Sequence, residues 1–330
     1  MQKTKKQHYV PRCYLKAFVI PGTFQVHVYD KKTKRPRINN YEDVASENYF
    51  HDFSLSEKER ESLAKKLEAN GIYIDPIDDQ YIEHLFANEI EPVYDGLLES
   101  LRTAANQFTP WYIQNCRVFK LRQKIEFAFM LALQLVRTKA SRNRINDMVD
   151  CFRQALDARG GNEDWSEFLD VNVKNTHNEM ILDIHNALQL AMSFLKHKWC
   201  LCVNQTEIPF ITSDNPIATM PHVKNGPISM GGIGSEGVEI AFPIAPNALL
   251  VMVDSEYYDL PIHDLAFVPI DVEGVEYYNA MQVERAERCL FSSSQGFGVV
   301  DRVLEKYPHL FETPSLSMSW GGKIFYPKGK

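Results

Sequence analysis

The sequence predicts an α+β fold, because strand-like and helical segments occupy different parts of the chain. Residues 1–55 hold segments in which apolar and polar side chains alternate, residues 56–196 show the spacing of helices, and residues 197–330 return to strands with a final helix. This order lacks the alternating βαβ units of a parallel fold. We therefore expect one α+β domain over residues 1–330, with a helical bundle inserted between an N-terminal hairpin and C-terminal strands that share one antiparallel sheet.

Composition narrows the class of protein. The chain has 330 residues, of which 45% are hydrophobic, and this is enough to bury a large core. No apolar run approaches the roughly 20 residues that cross a bilayer, and the lysine-rich start lacks the apolar region of a signal peptide. The six cysteines have no metal-ligand spacing, so we expect reduced thiols. These observations predict a cytoplasmic protein without membrane contact.

The charge limits the partners. A net charge of −7 argues against a surface coated for nonspecific DNA binding. Two basic segments, residues 3–6 and 137–144, are each either an ordinary solvated face or part of a local basic groove. Nucleic acid or a nucleotide is therefore kept as a candidate partner, and the sequence identifies no protein partner.

The N-terminal arm, residues 6–18, places an imidazole, a phenol and a guanidinium beside a rigid proline. Pro11 fixes its own φ and disfavours helix for the residue before it, so His8 should lie on an extended arm that leads into a short helix at residues 12–18. Such a cluster needs partners from the folded remainder. We therefore expect the arm to be buried, with His8 entering a cleft.

A β-hairpin should follow the arm. Residues 24–30 alternate with period two, and the polar turn at 31–34 leads into residues 35–38. Residues 44–50 are then a third extended segment or a short helix.

The middle of the chain predicts helices. Ser56 and Glu59 have the spacing of a capping box. From Asp79 to Arg102, apolar residues recur at spacings of three and four. Pro92 lies inside this pattern, so we expect a kink or a broken turn just after Glu91, where freed backbone groups often line a site.

Three more helices should complete the bundle. Residues 118–136 have an almost wholly apolar second half, which predicts the central buried helix. Further helices are expected at 145–158 and 177–196, with a flexible glycine joint in the segment 159–164.

The C-terminal part predicts strands around one helix. Residues 199–203 and 209–212 should form a second hairpin, and the glycine-rich residues 226–237 a mobile surface loop. The remaining predicted elements are two strands, a helix and a short extended piece, at residues 240–244, 248–253, 273–290 and 297–300.

Two blocks of sequence carry a family resemblance. The first is Gln7-His8-Tyr9-Val10-Pro11 followed by Tyr14, Leu15 and Phe18, and the second is the segment from Phe210 to Ile217, which contains Thr-Ser-Asp-Asn-Pro. These blocks resemble domain-of-unknown-function family 4238, a large, mostly bacterial family whose members begin with a QHYVP-type motif. Weaker similarities at Ile90-Glu91, at Gln134 with Arg137, and at Asn279 extend the resemblance over nearly the whole chain. The resemblance implies a family and leaves the activity open.

Four residues are candidates for chemistry: His8, Glu91, Arg137 and Asp214. An imidazole can bind a metal or act as a base near neutral pH, and Asp214 ends a strand where a turn should expose its carboxylate. Glu91 lies at the predicted kink, with His84 seven residues earlier on the same helix face. The alternatives are that His8 donates to a backbone carbonyl, that Asp214 only shapes a turn, and that Glu91 is an exposed helix carboxylate.

Arg137 ends the most apolar helix, one turn after Gln134. A guanidinium there must pair with an acid or hold an anionic ligand, since burying it alone would cost several kcal/mol. A structural pair with Glu91 or Asp214 is the alternative to ligand binding.

Two functions of different classes follow from these candidates. The first is a hydrolase acting on a phosphodiester in nucleic acid or a nucleotide, with His8, Glu91 and Asp214 holding Mg²⁺ or Mn²⁺ and Arg137 holding the anion. The second is a noncatalytic binding or regulatory module, in which the arm fastens the sheet to the helices and the loop at 226–237 meets a partner. Polar groups that meet in a wet pocket favour the enzyme, whereas polar groups paired in a dry core favour the module.

Overall fold

Helices and two main sheets make up the fold, which confirms the α+β class. The computed structural model describes residues 3–69, 71, 78–107, 118–160, 170–223, 231–258, 263–312 and 314–327.

The strands are β1 (Lys6–His8), β2 (Gln25–Asp30), β3 (Arg35–Asn40), β4 (Ser46–Asn48), β5 (His197–Asn204), β6 (Thr212–Ser213), β7 (Ala218–Pro221), β8 (Val238–Ala245), β9 (Ala248–Asp254), β10 (Ala266–Ile270), β11 (Cys289–Ser292), β12 (Met318–Trp320) and β13 (Lys323–Phe325). The α-helices are α1 (Arg12–Leu15), α2 (Glu57–Ala69), α3 (Tyr81–Leu85), α4 (Glu91–Asn106), α5 (Leu121–Arg137), α6 (Lys139–Asp157), α7 (Val173–Leu182), α8 (Ile184–Leu195), α9 (Val272–Arg285) and α10 (Gly298–Lys306). Of the predicted features, Cys116 and parts of the segments 159–164 and 226–237 lie outside the described residues.

The N-terminal arm is buried, as predicted. Strand β1 pairs antiparallel with β4, which is the extended alternative for residues 44–50. Helix α1 continues as a 3₁₀ turn to Phe18, and Val10, Tyr14 and Phe18 are fully buried. Burying a large apolar side chain contributes about 1.5–3 kcal/mol, so the arm is part of the core.

The first sheet joins the two ends of the chain. Its order is β3-β2-β11-β6, and all its pairs are antiparallel. In its register, His27 lies opposite Ser292 and Phe291 lies opposite Thr212. The N-terminal hairpin therefore shares an antiparallel sheet with C-terminal strands, as predicted.

The other long strands form a second sheet, with the order β10-β5-β9-β8-β7. Strand β10 runs parallel to β5, whereas the remaining pairs are antiparallel. Strand β8 is buried along its whole length, because elements cover both faces of the sheet at this point. The prediction that all the C-terminal strands join the N-terminal hairpin in one antiparallel sheet is therefore wrong for the five strands of this second sheet.

The predicted hairpin between residues 199–203 and 209–212 does not form. Strand β5 pairs with β9 and β10, while β6 belongs to the first sheet. The backbone N–H of Ile211 donates to the side chain of Asn279 at 2.9 Å, and that of Phe210 donates to the carbonyl of Pro246 at 2.8 Å. These distant partners satisfy the backbone groups that a hairpin would have used.

Helix α5 is the central buried helix, as predicted. It packs against α8 and reaches the second sheet. Phe127, in the middle of α5, contacts four other aromatic rings, those of Tyr94, Phe119, Trp199 and Phe242. Within the described part of the chain, no helix has both the length and the apolar character needed to cross a membrane.

Several elements differ from their predicted extents. The helix expected at 145–158 begins earlier, at Lys139, because the side chain of Thr138 caps it. The helix expected at 177–196 is two helices, because the side chain of Asp183 accepts from two backbone N–H groups and starts a new one. The helix expected at 273–290 ends at Arg285, before β11. Residues 297–300, predicted as extended, are instead the N-cap and the first turn of α10.

The helix predicted from Asp79 to Arg102 contains an irregular turn just before Glu91. A π-helix, Phe86–Ile90, separates α3 from α4, and Pro92 lies in the first turn of α4. Proline lacks an N–H, and its ring clashes with the carbonyl four residues earlier, so the wider π turn accommodates it. The predicted irregularity is present, but it precedes Glu91 and does not follow it.

Candidate functional site

Arg137 is the centre of a polar cluster inside the protein. Its guanidinium is almost fully buried and donates to Glu91 Oε1 from both terminal nitrogens at 3.1 Å. One of these nitrogens also donates to the backbone carbonyl of His8 at 2.7 Å. The guanidinium carbon lies 4.0 Å from the centre of the Phe86 ring. Arg137 therefore connects α5 with the arm, the π-helix and α4, and the structural pair with Glu91 is confirmed.

The π turn decides which side chain accompanies Glu91. Because a π turn holds one residue more than an α turn, residues eight apart across it share a face, as residues seven apart do in a regular helix. Glu83, and not His84, therefore lies on the face of Glu91, while His84 lies 3.6 Å from Asp78. Burial raises the pKa of Glu83 to about 7, with Arg137 opposing the rise and the charge of Glu91 adding to it.

His8 is held in a neutral form. Its ring Nε2 lies 3.0 Å from the backbone carbonyl of Glu42, and since a carbonyl only accepts, Nε2 carries the proton and Nδ1 keeps a lone pair. Burial, joined by the charges of Arg12 and Arg137, lowers the pKa of His8 to about 4, although the hydrogen bond to Glu42 opposes the shift. The ring therefore makes the structural hydrogen bond that the sequence allowed, and the contact with Arg137 uses the backbone of His8.

Four buried polar atoms near Arg137 have no hydrogen-bond partner among the described residues: Arg137 Nε, Gln134 Oε1 and both ring nitrogens of His51. The amide nitrogen of Gln134 donates weakly to the carbonyl of Tyr9 at 3.4 Å. The rings of His51 and Phe86 have centroids 6.0 Å apart, so His51 and Arg137 flank one aromatic ring. An unpartnered buried polar group costs about 1–3 kcal/mol, so this interior is polar but incompletely satisfied.

A second arginine extends the polar interior. Arg142 donates from Nε to His177 Nδ1 at 3.2 Å and from a terminal nitrogen to the carbonyl of Phe50 at 2.8 Å. His177 Nε2 lies 2.7 Å from the carbonyl of Val136, so Nε2 is protonated and Nδ1 accepts. Burial lowers the pKa of His177 to about 3 and that of Arg142 to about 10.

Asp214 is hydrogen-bonded to a different part of the fold. Its carboxylate accepts three backbone N–H groups from the turn between α9 and β11, namely Glu287 at 2.8 Å, Arg288 at 2.9 Å and Cys289 at 2.8 Å. Burial raises the pKa of Asp214 to about 6, and the three hydrogen bonds oppose the rise. The sequence predicted an exposed carboxylate, but the side chain is turned inward to fasten this turn to β6.

The two sequence blocks that carry the family resemblance touch each other. The hydroxyl of Tyr14 lies 2.6 Å from the hydroxyl of Thr212, and both residues are fully buried. This contact connects the N-terminal arm to β6 and hence to the first sheet. The resemblance therefore falls on residues that hold the arm in place.

The four candidate residues do not form one set. Arg137 brings together Glu91 and the backbone of His8, whereas Asp214 bonds to the turn after α9. Across the described ranges, no group of three histidine, cysteine or acidic side chains could hold a metal ion. The catalytic and metal-binding roles of these residues stay predictions.

Sequence reasoning missed Glu83, His51, His177 and Arg142. Glu83 could not be selected because no sequence pattern marked the π turn, and a regular helix points to His84 instead. His51 and His177 come from segments distant in sequence, and both become buried only when α5 and the arm pack together. A signal for His51 was present in its aromatic neighbours, Phe50 and Phe53, which predict a buried segment.

Comparison with known proteins gives a family but no characterised relative. No curated protein and no solved structure matches the chain. The family model described as "Protein of unknown function (DUF4238)" matches residues 6–296, which include the arm, the Arg137 cluster and the turn held by Asp214. Since this match spans most of the sequence, the chain belongs to that family.

Proposed function

We propose that this protein is a noncatalytic binding module, the second of the two functions considered from the sequence. The observation that supports this proposal is that the candidate catalytic side chains are engaged in structural contacts. His8, Glu91, Arg137 and Asp214 each bond to another part of the fold, and three of them are at least nine-tenths buried. Groups engaged in this way hold elements together and are not poised to contact a substrate.

The energetics of the ion pair support the same proposal. Removing one partner of a buried pair costs about 3–5 kcal/mol, because the other charge is left without compensation. Arg137 also donates to the arm, so an anionic ligand at its terminal nitrogens would compete with Glu91 and with the carbonyl of His8. We therefore assign Arg137 a positioning role between the arm and the helices.

A hydrolase acting with Mg²⁺ or Mn²⁺ on nucleic acid or nucleotide phosphodiesters is the second candidate. Glu83 is the observation that favours it. It is a half-buried carboxyl for which the described part of the chain supplies no hydrogen bond, with a pKa raised to about 7 by burial, beside the ion-paired Glu91. Two carboxyl groups in unlike environments are the usual arrangement for an acid and a base.

One substitution separates the two candidates. We would assay hydrolysis of single-stranded and double-stranded DNA and of bis(4-nitrophenyl) phosphate, with Mg²⁺ or Mn²⁺, for the wild type and for Glu83→Gln. Glu89→Gln, at an exposed position of the π-helix, is the matched control. The binding module predicts no metal-dependent hydrolysis in any of the three proteins.

The hydrolase predicts a different outcome. Activity should be present in the wild type and in Glu89→Gln, and should fall by about 10²–10⁴ in Glu83→Gln, as it does when a general acid or base is removed. An unchanged Tm for Glu83→Gln would show that the lost activity is not lost folding. That pair of results would overturn the binding proposal.

We also propose a cytoplasmic setting. The five cysteines among the described residues are all free thiols, which is typical of a reducing compartment. Expression of a tagged protein followed by cell fractionation would test this.

A further inference from the structure

A cluster of aromatic side chains surrounds a carboxylate at one edge of the second sheet. We call it the tyrosine cluster, and its members are His222, Glu239, Tyr257, Tyr258, Tyr277 and Tyr278. Four elements contribute: the end of β7, the start of β8, the turn after β9, and α9. The predicted functions used none of these residues.

Glu239 is the charged centre of the tyrosine cluster. Its carboxylate accepts from Tyr277 at 2.8 Å and from Tyr278 at 2.7 Å, and lies 2.9 Å from Nε2 of His222. Burial, together with the charge of Glu239, raises the pKa of both phenols, so they remain protonated donors. The side chain of Glu239 is only 12% exposed, so its charge is little screened by water.

The rings around Glu239 stand nearly perpendicular to one another. Tyr258 makes edge-to-face contacts with His222 at an interplanar angle of 87° and with Tyr257 at 80°. Tyr257 and Tyr277 are 44% and 38% exposed, so ring surface is available to solvent beside a buried negative charge. Gly237, at a φ of +65°, lets the backbone lie close to Tyr257, because a Cβ there would be 3.3 Å from the ring.

A surface recess adjoins the tyrosine cluster and shares Tyr257 with it. Three acidic residues line the recess, namely Glu236, Asp254 and Glu256. Asp254 is fixed in place, since it accepts from the backbone N–H groups of Gly237 at 2.9 Å and of Glu256 at 3.0 Å. Among the described residues that line the recess, Lys196 is the one lysine or arginine. The recess therefore favours a positively charged occupant.

We propose that the tyrosine cluster and its recess bind an organic cation that carries an alkylated ammonium group. Such a group is weakly hydrated, and its diffuse charge is attracted to the faces of tyrosine rings. The acidic lining supplies the long-range attraction, and Glu239 adds negative charge at the hydroxyl ends of Tyr277 and Tyr278. This site lies on residues other than the Arg137 cluster, so it stands whether that cluster is structural or catalytic.

The test compares two ligands of nearly the same shape. Choline and its neutral analogue 3,3-dimethyl-1-butanol would be titrated against the wild-type protein with ligand-observed NMR. We expect saturable binding of choline and roughly three- to fivefold weaker binding of the neutral analogue, because the partly exposed ring faces and the acidic lining attract the cation alone. A peptide containing trimethyl-lysine, beside the same peptide unmodified, shows whether the cation is carried by a protein or by a small molecule.

Two substitutions locate the site. Tyr257→Ala removes an exposed ring, and Glu256→Gln removes one charge of the recess. Each should weaken choline binding by roughly three- to tenfold. Tyr326→Ala, which removes another exposed tyrosine elsewhere, is the control and should leave binding unchanged.

Three results would overturn the proposal. The first is that choline shows no saturable binding up to about 10 mM, a concentration at which even a weak complex with a Kd of roughly 1 mM would saturate. The second is that choline and the neutral analogue bind equally well. The third is that Tyr257→Ala and Tyr326→Ala change choline binding equally. Both tyrosines are exposed, so neither change should prevent folding, and a Tm for each variant checks this.

Discussion

Mild acid should destabilise this protein, because burial lowers the pKa values of five histidines, and three of these shifts are large. Burial lowers the pKa of His8 to about 4, that of His177 to about 3, and that of His51 well below the ordinary value of 6.5. In the unfolded chain each would take up a proton near that ordinary value. The stability that these residues contribute is therefore complete above pH 6.5 and is lost as the pH falls towards the folded-state pKa values.

The size of the effect follows from the number of protons. Each proton taken up on unfolding lowers the unfolding free energy by about 1.4 kcal/mol per pH unit, so three histidines give about 4 kcal/mol per unit between roughly pH 6 and 5. Asp214 and Glu83 oppose this, because burial raises their pKa values to about 6 and about 7 and the folded state then takes up protons too. Unfolding should therefore take up a net one to two protons, so the unfolding free energy should fall by about 1.4–2.8 kcal/mol for each pH unit of acidification.

Urea unfolding at several pH values measures this slope, and His51 offers the cleanest variant. Its ring nitrogens have no partner among the described residues, and it packs against Phe50 and Phe86. His51→Phe should therefore reduce the slope by one proton, about 1.4 kcal/mol per pH unit, while an aromatic ring is kept against Phe50 and Phe86. His263→Gln, at an exposed position, should leave the slope unchanged. Equal slopes for His51→Phe and the wild type would refute the assignment of buried neutral histidines.

Three further predictions concern the contacts that hold the fold together. Deleting residues 1–12 should lower the Tm by many degrees or prevent folding, because each large buried side chain of the arm contributes about 1.5–3 kcal/mol; an unchanged melting curve by circular dichroism would contradict it. Arg137→Met should lose about 3 kcal/mol in urea unfolding, and adding Glu91→Met should restore part of the loss, whereas additive losses would argue against a coupled pair. Asp214→Asn should lose about 1–3 kcal/mol and speed hydrogen exchange at residues 287–289, and unchanged protection there would show that the turn is held by other contacts.

The sequence was sufficient for the helical core and for the arm, because local patterns determine both. The apolar half of α5 can only be a buried helix, and Pro11 sets the extended entry to α1. The sequence also predicts that the positive charge of Arg137 requires a counter-charge, since a guanidinium at the end of an apolar helix must pair with a carboxylate. The structure supplies Glu91 as that acid.

The sheet assignments could not be reached in the same way, because strand partners are chosen by contacts distant in sequence. Strand β6 has only two residues, and its partner β11 lies almost 80 positions further along the chain. The adjacent strand β5 was the natural local partner, but its edges are occupied by β9 and β10. The alternation of apolar and polar residues along a strand predicts which side chains lie on each face of the sheet. It does not predict which strands are its neighbours.

The same reasoning explains why the candidate site was only partly predicted. Asp214 does bond to a turn, as Asx chemistry suggests, but the turn belongs to residues more than 70 positions away. Residue type identifies the charged and polar side chains that require partners when they are buried. Only the fold shows which of them find a partner inside the protein. The charges of Arg137 and Glu91 compensate each other, and Asp214 is held by three backbone N–H groups. The groups with free capacity at a surface are different ones, Glu83 and the rings around Glu239, and experiments on function should begin with them.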